Sequence, residues 1–183
     1  MVPIREEVYS GSIDRVQLLD SNGNLDEEPD IDLDEDDLRD MYRHMVLARE
    51  FDERAVKLQR RGEMGTYPPL KGQEAAQVGS AYALDKEDWM VPSYRESASY
   101  FVRDVDMERV LQYWGGDERG SDMDGEGENL PVSVPVGSQT IHGAGIAMSM
   151  KRHDDDGATL TYLGDGATSE GAFHSGLNFA GAF

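Results

Sequence analysis

Asp165 stands between Gly164 and Gly166, directly after a β-branched and aromatic run over 158–163, Ala-Thr-Leu-Thr-Tyr-Leu. Such a run reads as a buried strand. In parallel α/β sheets, ligands sit beyond the carboxyl ends of the strands. Neither glycine carries a Cβ, so backbone N–H groups at this point can approach a phosphate closely. A carboxylate repels phosphate, but it attracts a magnesium ion that phosphate also binds. Asp between two glycines at a strand end therefore fits a metal-bridged diphosphate. The same residues also fit a plain strand-to-helix turn with Asp as its cap, and a bare Gly-Asp-Gly is more often that turn. A helical pattern carrying Phe173, Leu177 and Phe179 follows.

A second group is Tyr94-Arg95, in the run Pro-Ser-Tyr-Arg-Glu after Trp89-Met-Val. Arginine presents a planar fork that matches phosphate oxygens in pairs. At the start of a predicted helix its charge is poorly placed unless an anion lies nearby. The residues that must hold these groups read as an alternation of helices and short strands. Helices are expected over 34–61, 73–84, 96–103, 106–113 and 138–152, with strands at 89–91 and 158–163. The first helix has apolar residues at helical spacing from Leu38 to Leu58, with Asp52 the polar exception. Acids open it, arginines close it and Gly62 follows, as the dipole and capping preferences favour. Residues 115–129 are rich in Gly, Asp and Glu and read as a mobile surface loop. Small residues at Gly143, Ala144, Gly145 and Ala147 allow a backbone or a cofactor ring to come close.

The chain has 183 residues, 37 acids, 17 bases and a formal charge of −20, with four lysines and no cysteine. One medium domain is the expectation, with 1–33 as an acidic, loosely held leader and a short hairpin at Ser21-Asn-Gly-Asn24. The charge excludes nucleic acid and anionic membrane as partners. Disulfides and thiolate metal sites are excluded as well. Many acids with few lysines suggest a protein adapted to concentrated salt. No run reaches transmembrane length and no charged-then-apolar leader opens the chain, so the cytoplasm is the expected compartment.

Taken in order, several segments resemble the alpha subunit of thiamine-diphosphate-dependent 2-oxo acid dehydrogenases, the pyruvate and branched-chain first components. These are Asp52-Glu-Arg-Ala, Gly65-Thr-Tyr-Pro-Pro into Gly72-Gln-Glu-Ala-Ala, Pro92-Ser-Tyr-Arg-Glu, Pro135-Val-Gly-Ser-Gln, and Gly164-Asp-Gly-Ala-Thr-Ser-Glu-Gly. The resemblance spans about 37–183. It implies an α/β fold: the N-terminal part of a thiamine-diphosphate-binding domain over 34–183, with a parallel sheet and flanking helices. The implied cofactors are thiamine diphosphate and Mg2+. Asp165 would be a metal ligand; Tyr94, Arg95, Gly164, Gly166 and Ala167 would hold the diphosphate. Val136 would meet the aminopyrimidine ring through its backbone, next to Val134. Gln73 and Glu74, at a helix start, read as structural. His142 and His174 read as packing residues. No histidine stands between His44 and His142, where relatives often carry substrate-facing ones, so the catalytic residues stay unassigned.

The resemblance further implies a 2-oxo acid substrate, a beta subunit supplying the carboxylate that activates the aminopyrimidine, and a lipoyl-bearing acyltransferase that accepts the acyl group. Pyruvate, branched-chain and acetoin-type substrates stay open. The family motif also needs an Asn-bearing strand end some two to three dozen residues past Gly-Asp-Gly. Asn178, in the next helix, does not supply it. The expectation is therefore a fragment that exposes apolar surface near Phe183, with a non-catalytic chain acting only by association as the alternative. A transketolase reading fits the Tyr-Pro-Pro and Tyr-Arg-Glu segments poorly.

Overall fold

The computed structural model describes residues 8–25 and 32–183. Contacts divide the chain into two units, Met1–Asp34 and Glu35–Phe183. In the first unit the Ser-Asn-Gly-Asn turn closes an isolated antiparallel bridge between Leu19 and Leu25. The Asp20 carboxylate accepts the backbone N–H groups of Asn22 and Asn24, both at 2.8 Å. The Asn24 side chain and these N–H groups hold the Asp20 carboxyl down at about 2. The predicted hairpin is present; residues 1–7 and 26–31 of the predicted leader lie outside the described residues.

The second unit begins with α1 (Glu35–Arg60), which opens on three acids and closes on Lys57 and Arg60. Ala48, Phe51, Asp52 and Ala55 form its buried face, spaced as one stripe of a helix. The two alanines are fully buried. They let α2 (Glu74–Tyr82) and α3 (Ser97–Val102) pack close to α1. The polar exception, Asp52, is 1 % exposed. Its carboxylate accepts the Tyr67 hydroxyl at 3.0 Å and the Leu70 N–H at 2.7 Å. A buried charge is tolerated only with such partners, and here they pin the proline-rich loop to α1. Burial, and then the Asp52 charge, push the Tyr67 phenol well above its ordinary range. Phe51 meets Phe101 edge-on at 4.8 Å and Tyr67 at 6.3 Å, and Tyr67 meets Trp114 at 6.2 Å. These edge-to-face contacts add to area burial and join α1, the loop, α3 and α4 (Met107–Gly115).

The sheet has three parallel strands, β1 (Trp89–Val91), β2 (Glu128–Asn129) and β3 (Thr159–Thr161), in the order β2-β1-β3. Side chains alternate along β1. Met90 enters the helical core, while Trp89 and Val91 line a groove with α5 (Ser138–Arg152). α5 packs on β1 and β3, and α6 (Gly171–Ala182) packs on α5. The contacts are close: a Cβ on Gly143 would lie 2.1 Å from the Thr161 hydroxyl, and one on Gly176 would lie 2.6 Å from the Thr140 backbone. The small-residue stretch of α5 is therefore where the helix meets β3. Leu177, Phe179 and Phe183 are each more than half exposed.

One expectation is refined. The predicted surface loop at 115–129 is largely exposed, as expected, but it is not structureless. It holds a 3-10 turn, Glu118–Ser121, then the buried Met123, then β2. Asn129 accepts from the buried Arg103 at 2.7 Å, and Arg103 also donates to the carbonyls of Asp85 and Asp88. Burial lowers the Arg103 pKa, yet these oxygens keep its donors satisfied. The Gly-rich composition reflects tight passage: a Cβ on Gly120 would lie 2.1 Å from the Tyr113 nitrogen. After Gly164 a 3-10 turn, Asp165–Ser169, separates β3 from α6, which begins at Gly171, just ahead of the predicted apolar residues Phe173, Leu177 and Phe179.

Candidate functional site

The carboxyl ends of β1 and β3 open onto one cavity of about 590 Å³. From β1 the chain turns through Ser93–Glu96 into α3, which packs on α1 and α2. From β3 it turns into α6, which packs on α5. The two connections leave the adjacent strand ends for different layers, which makes this crevice a topological switch point, where ligands bind in open α/β sheets. All the predicted site residues line it: Tyr94, Arg95, Val136, Gly164, Asp165, Gly166 and Ala167.

The end of β3 is anchored from behind. The Tyr162 hydroxyl pairs with Ser80 Oγ at 2.7 Å and Ser99 Oγ at 2.9 Å, tying the strand to α2 and α3. Burial raises the Tyr162 pKa, so it stays a neutral hydrogen-bonding group. Gly164 has φ −93°, a conformation open to any residue. A Cβ on Gly164 or Gly166 would meet nothing within 4 Å, so the turn is open at both glycines. The Ala167 N–H is donated to the Gly164 carbonyl at 3.0 Å. The capping alternative for Asp165 fails, because the turn is preceded by Gly164 with no side-chain cap. The Asp165 carboxylate bonds no described residue; only its backbone oxygen is engaged, by Thr168.

Arg95 is half-buried and has no carboxylate partner among the described residues. Its Nη1 donates to the Pro69 carbonyl at 2.7 Å, and the guanidinium lies 5.6 Å from the centre of the Tyr94 ring. A cation so held, with donors to spare, is ready for an anion. The loop before α5 supplies Val136, 45 % exposed, and Gly137 at φ +83°, where glycine alone is comfortable. Gln139, 1 % exposed, folds this loop by donating to the carbonyls of Ser133 at 2.6 Å and Pro135 at 3.2 Å.

Sequence reasoning singled out neither Gln139, Ser93, Glu96 nor Glu170 for the cavity wall, although all four line it. Each lies within a segment of the family resemblance; nothing in its residue type alone separated it from a structural role. Gln73 also lines the cavity, whereas Glu74 turns away to pair with Arg49 and to accept the Gly72 N–H at 2.9 Å. The structural expectation holds for Glu74. Val134 is half exposed. His142 and His174 are exposed rather than packed; His142 borders the separate α5 groove and His174 lies edge-on to Phe173 at 5.2 Å. Neither lines this cavity.

Two exposed acids, Asp165 and Glu170, line the cavity together with Arg95, while the Glu96 carboxylate is turned back onto the Ser93 and Arg95 N–H groups. Such a wall suits an anionic ligand only if it arrives with a cation. Among the described residues no group of three His, Asp or Glu gathers to hold a metal. Magnesium commonly binds through one or two carboxylates together with phosphate oxygens. The free Asp165 carboxylate, the open glycine turn and the unpaired Arg95 fit a magnesium diphosphate in that manner.

A parallel α/β sheet with a polar cavity at its switch point is thus the class of protein that fold and site define. The chain belongs to the dehydrogenase E1 component family, whose model matches residues 42–183. That family comprises thiamine-diphosphate-dependent 2-oxo acid dehydrogenase components. It is 45 % identical over 178 residues to the 3-methyl-2-oxobutanoate dehydrogenase subunit alpha of Mycobacterium tuberculosis, covering 96 % of this chain and 48 % of that one. It is 41 % identical to the pyruvate dehydrogenase E1 component subunit alpha of Acholeplasma laidlawii, covering 90 % and 48 %. The Bacillus subtilis subunit of the same name is 35 % identical, covering 91 % and 45 %. The chain spans about half the length of these relatives.

Proposed function

We propose that this chain forms the diphosphate-holding part of the alpha subunit of a 2-oxo acid dehydrogenase, acting on pyruvate or a branched-chain 2-oxo acid and passing the acyl group to a lipoyl carrier. The observation that carries the proposal is the meeting of Tyr94-Arg95, from the end of β1, with Gly164–Ala167, from the end of β3, around one cavity. In this reading the Arg95 fork takes diphosphate oxygens, helped by backbone N–H groups of the Gly164–Ala167 turn. Asp165 would hold a Mg2+ ion, and the Val136 backbone would orient the aminopyrimidine. Thiamine diphosphate, when bound, supplies the carbanion chemistry. The chain's own work is binding, orientation and exclusion of water. No acid or base of this chain is assigned a proton transfer. A beta subunit would supply the activating carboxylate, and a lipoyl-bearing acyltransferase would receive the product.

Composition supports two further parts of the proposal. A charge of −20 with four lysines fits a protein that works in concentrated salt, where screening shortens to about 3 Å near 1 M. Among the described residues no helix is long and apolar enough to cross a membrane, and the cytoplasm is the compartment we propose. Decarboxylation assayed across pyruvate, branched-chain and acetoin-type substrates, with thiamine diphosphate, Mg2+ and a beta subunit present, tests the function. Turnover of one class that depends on both cofactors is expected. Absence of turnover with every class, despite cofactor binding, would favour a chain that acts only by association.

A further inference from the structure

Arg95 owes its position to two buried side chains that bracket its peptide group. Glu96, 9 % exposed, directs its carboxylate back into the turn. It accepts the Ser93 N–H at 2.9 Å, the Arg95 N–H at 3.0 Å and the Ser93 hydroxyl at 3.1 Å. Gln77, 3 % exposed on α2, takes the other side. Its Nε2 donates to the Arg95 carbonyl at 3.1 Å and to Gln73 Oε1 at 3.1 Å, and its Oε1 accepts the Ala98 N–H at 3.2 Å. The N–H and the C=O of one residue are thus each fixed by a side chain from a different position in the fold.

The chemistry of each clamp is specific. Both backbone N–H groups converge on one oxygen of Glu96, Oε2, while the Ser93 hydroxyl reaches both carboxylate oxygens. Without this side chain the two N–H groups lose their acceptor. Gln77 must donate to a carbonyl and accept from an N–H at once, which an amide does and a carboxylate does not. Glu96 also carries the wrong charge for an anion site. Its presence on the cavity wall is explained by what it does to the turn, not by contact with a diphosphate.

We propose that Gln77 and Glu96 are positioning residues that set the affinity for the diphosphate moiety by holding Arg95. The inference rests on the reading of Arg95 as a diphosphate ligand. A buried hydrogen-bonding group left without its partner carries a penalty large enough to shift the turn. Loss of either clamp lets the Arg95 backbone move, and the guanidinium then spends binding energy on being ordered.

The test is a double-mutant cycle on thiamine diphosphate binding in the assembled enzyme, with Mg2+, followed by calorimetry. The single variants are Arg95→Ala, Glu96→Ala and Gln77→Met; Gln77→Glu serves as a near-isosteric second variant at that position. Glu96→Ala and Gln77→Met are each expected to weaken binding roughly tenfold, the scale of one buried hydrogen bond. In the Arg95→Ala background the same changes are expected to cost less than about twofold, since their effect passes through Arg95. In the Gln77→Met variant kcat at saturating cofactor should stay near the wild-type value while the cofactor requirement rises. Full, additive losses in the Arg95→Ala background would overturn the positioning role, as would unchanged binding in well-folded Glu96→Ala and Gln77→Glu proteins. If Arg95→Ala itself leaves binding unchanged, the ligand reading of Arg95 is what fails.

Discussion

At the scale of single residues, the acids of this chain divide by what faces them. Asp52, Glu74 and Glu96 are buried and bonded to named donors. Asp165 and Glu170 are exposed on the cavity wall, and their carboxylates bond no described residue. Glu74 shows what a partner does: the Arg49 hydrogen bond holds its carboxyl down at about 2. Its folded value lies below the unfolded one of about 4.3. It therefore contributes stability in full above about pH 4.3, and that contribution is lost as pH falls toward about 2. Glu74→Gln is expected to lower stability at pH 7 and to flatten the decline over that acid window. Unfolding midpoints measured from pH 7 downward check this; an unchanged acid slope in Glu74→Gln would show that the Arg49 pair contributes nothing. Asp52→Ala removes the partner of two buried donors, the Tyr67 hydroxyl and the Leu70 N–H. A loss of about 2–4 kcal/mol is expected, read as a lower urea midpoint.

At the scale of elements, glycine decides how closely helices approach. Gly176 on α6 faces the Thr140 backbone of α5, where a Cβ would lie 2.6 Å from the carbonyl carbon. Backbone cannot move aside as a flexible side chain can. Gly176→Ala is expected to cost about 1–3 kcal/mol. Gly181→Ala on the same helix, where nothing lies within 4 Å, should be neutral or stabilising. Thermal melts of the two variants compare them directly. The first helix was legible because amphipathic spacing and end charges repeat over many residues, and 34–61 is found as Glu35–Arg60; 138–152, read from its run of small residues, is found as Ser138–Arg152. The run 158–163 was legible as a strand, although only Thr159–Thr161 pairs. The surface character of 115–129 was legible; its 3-10 turn, its buried Met123 and β2 were not, since Arg103 reaches Asn129 from a distance in sequence and no local pattern announces such a contact. The grouping of Tyr94-Arg95 with Gly164–Ala167 rested on motif resemblance; the parallel register of β1 and β3 is its physical cause. The clamps Gln77 and Glu96 stayed hidden because their type is common on helix surfaces and only burial distinguishes them.

At the scale of the whole molecule, a charge of −20 sets the response to salt. Repulsion among carboxylates is screened over about 10 Å at 0.1 M and about 3 Å at 1 M, and excluded salts strengthen apolar burial. The unfolding midpoint is expected to rise between about 0.1 M and about 2 M potassium chloride. Association is expected to rise with it, through the exposed Leu177, Phe179 and Phe183. Circular dichroism melts and light scattering on one salt series separate the two; a midpoint that falls with salt contradicts adaptation to brine. The most direct measurement of the central proposal is calorimetric titration of the assembled enzyme with thiamine diphosphate, with and without Mg2+, for the wild type and for Asp165→Ala. The account predicts binding that requires Mg2+ in the wild type, and loss of the Mg2+-dependent increment in a fully folded Asp165→Ala protein. Equal, Mg2+-dependent affinity in both would contradict it.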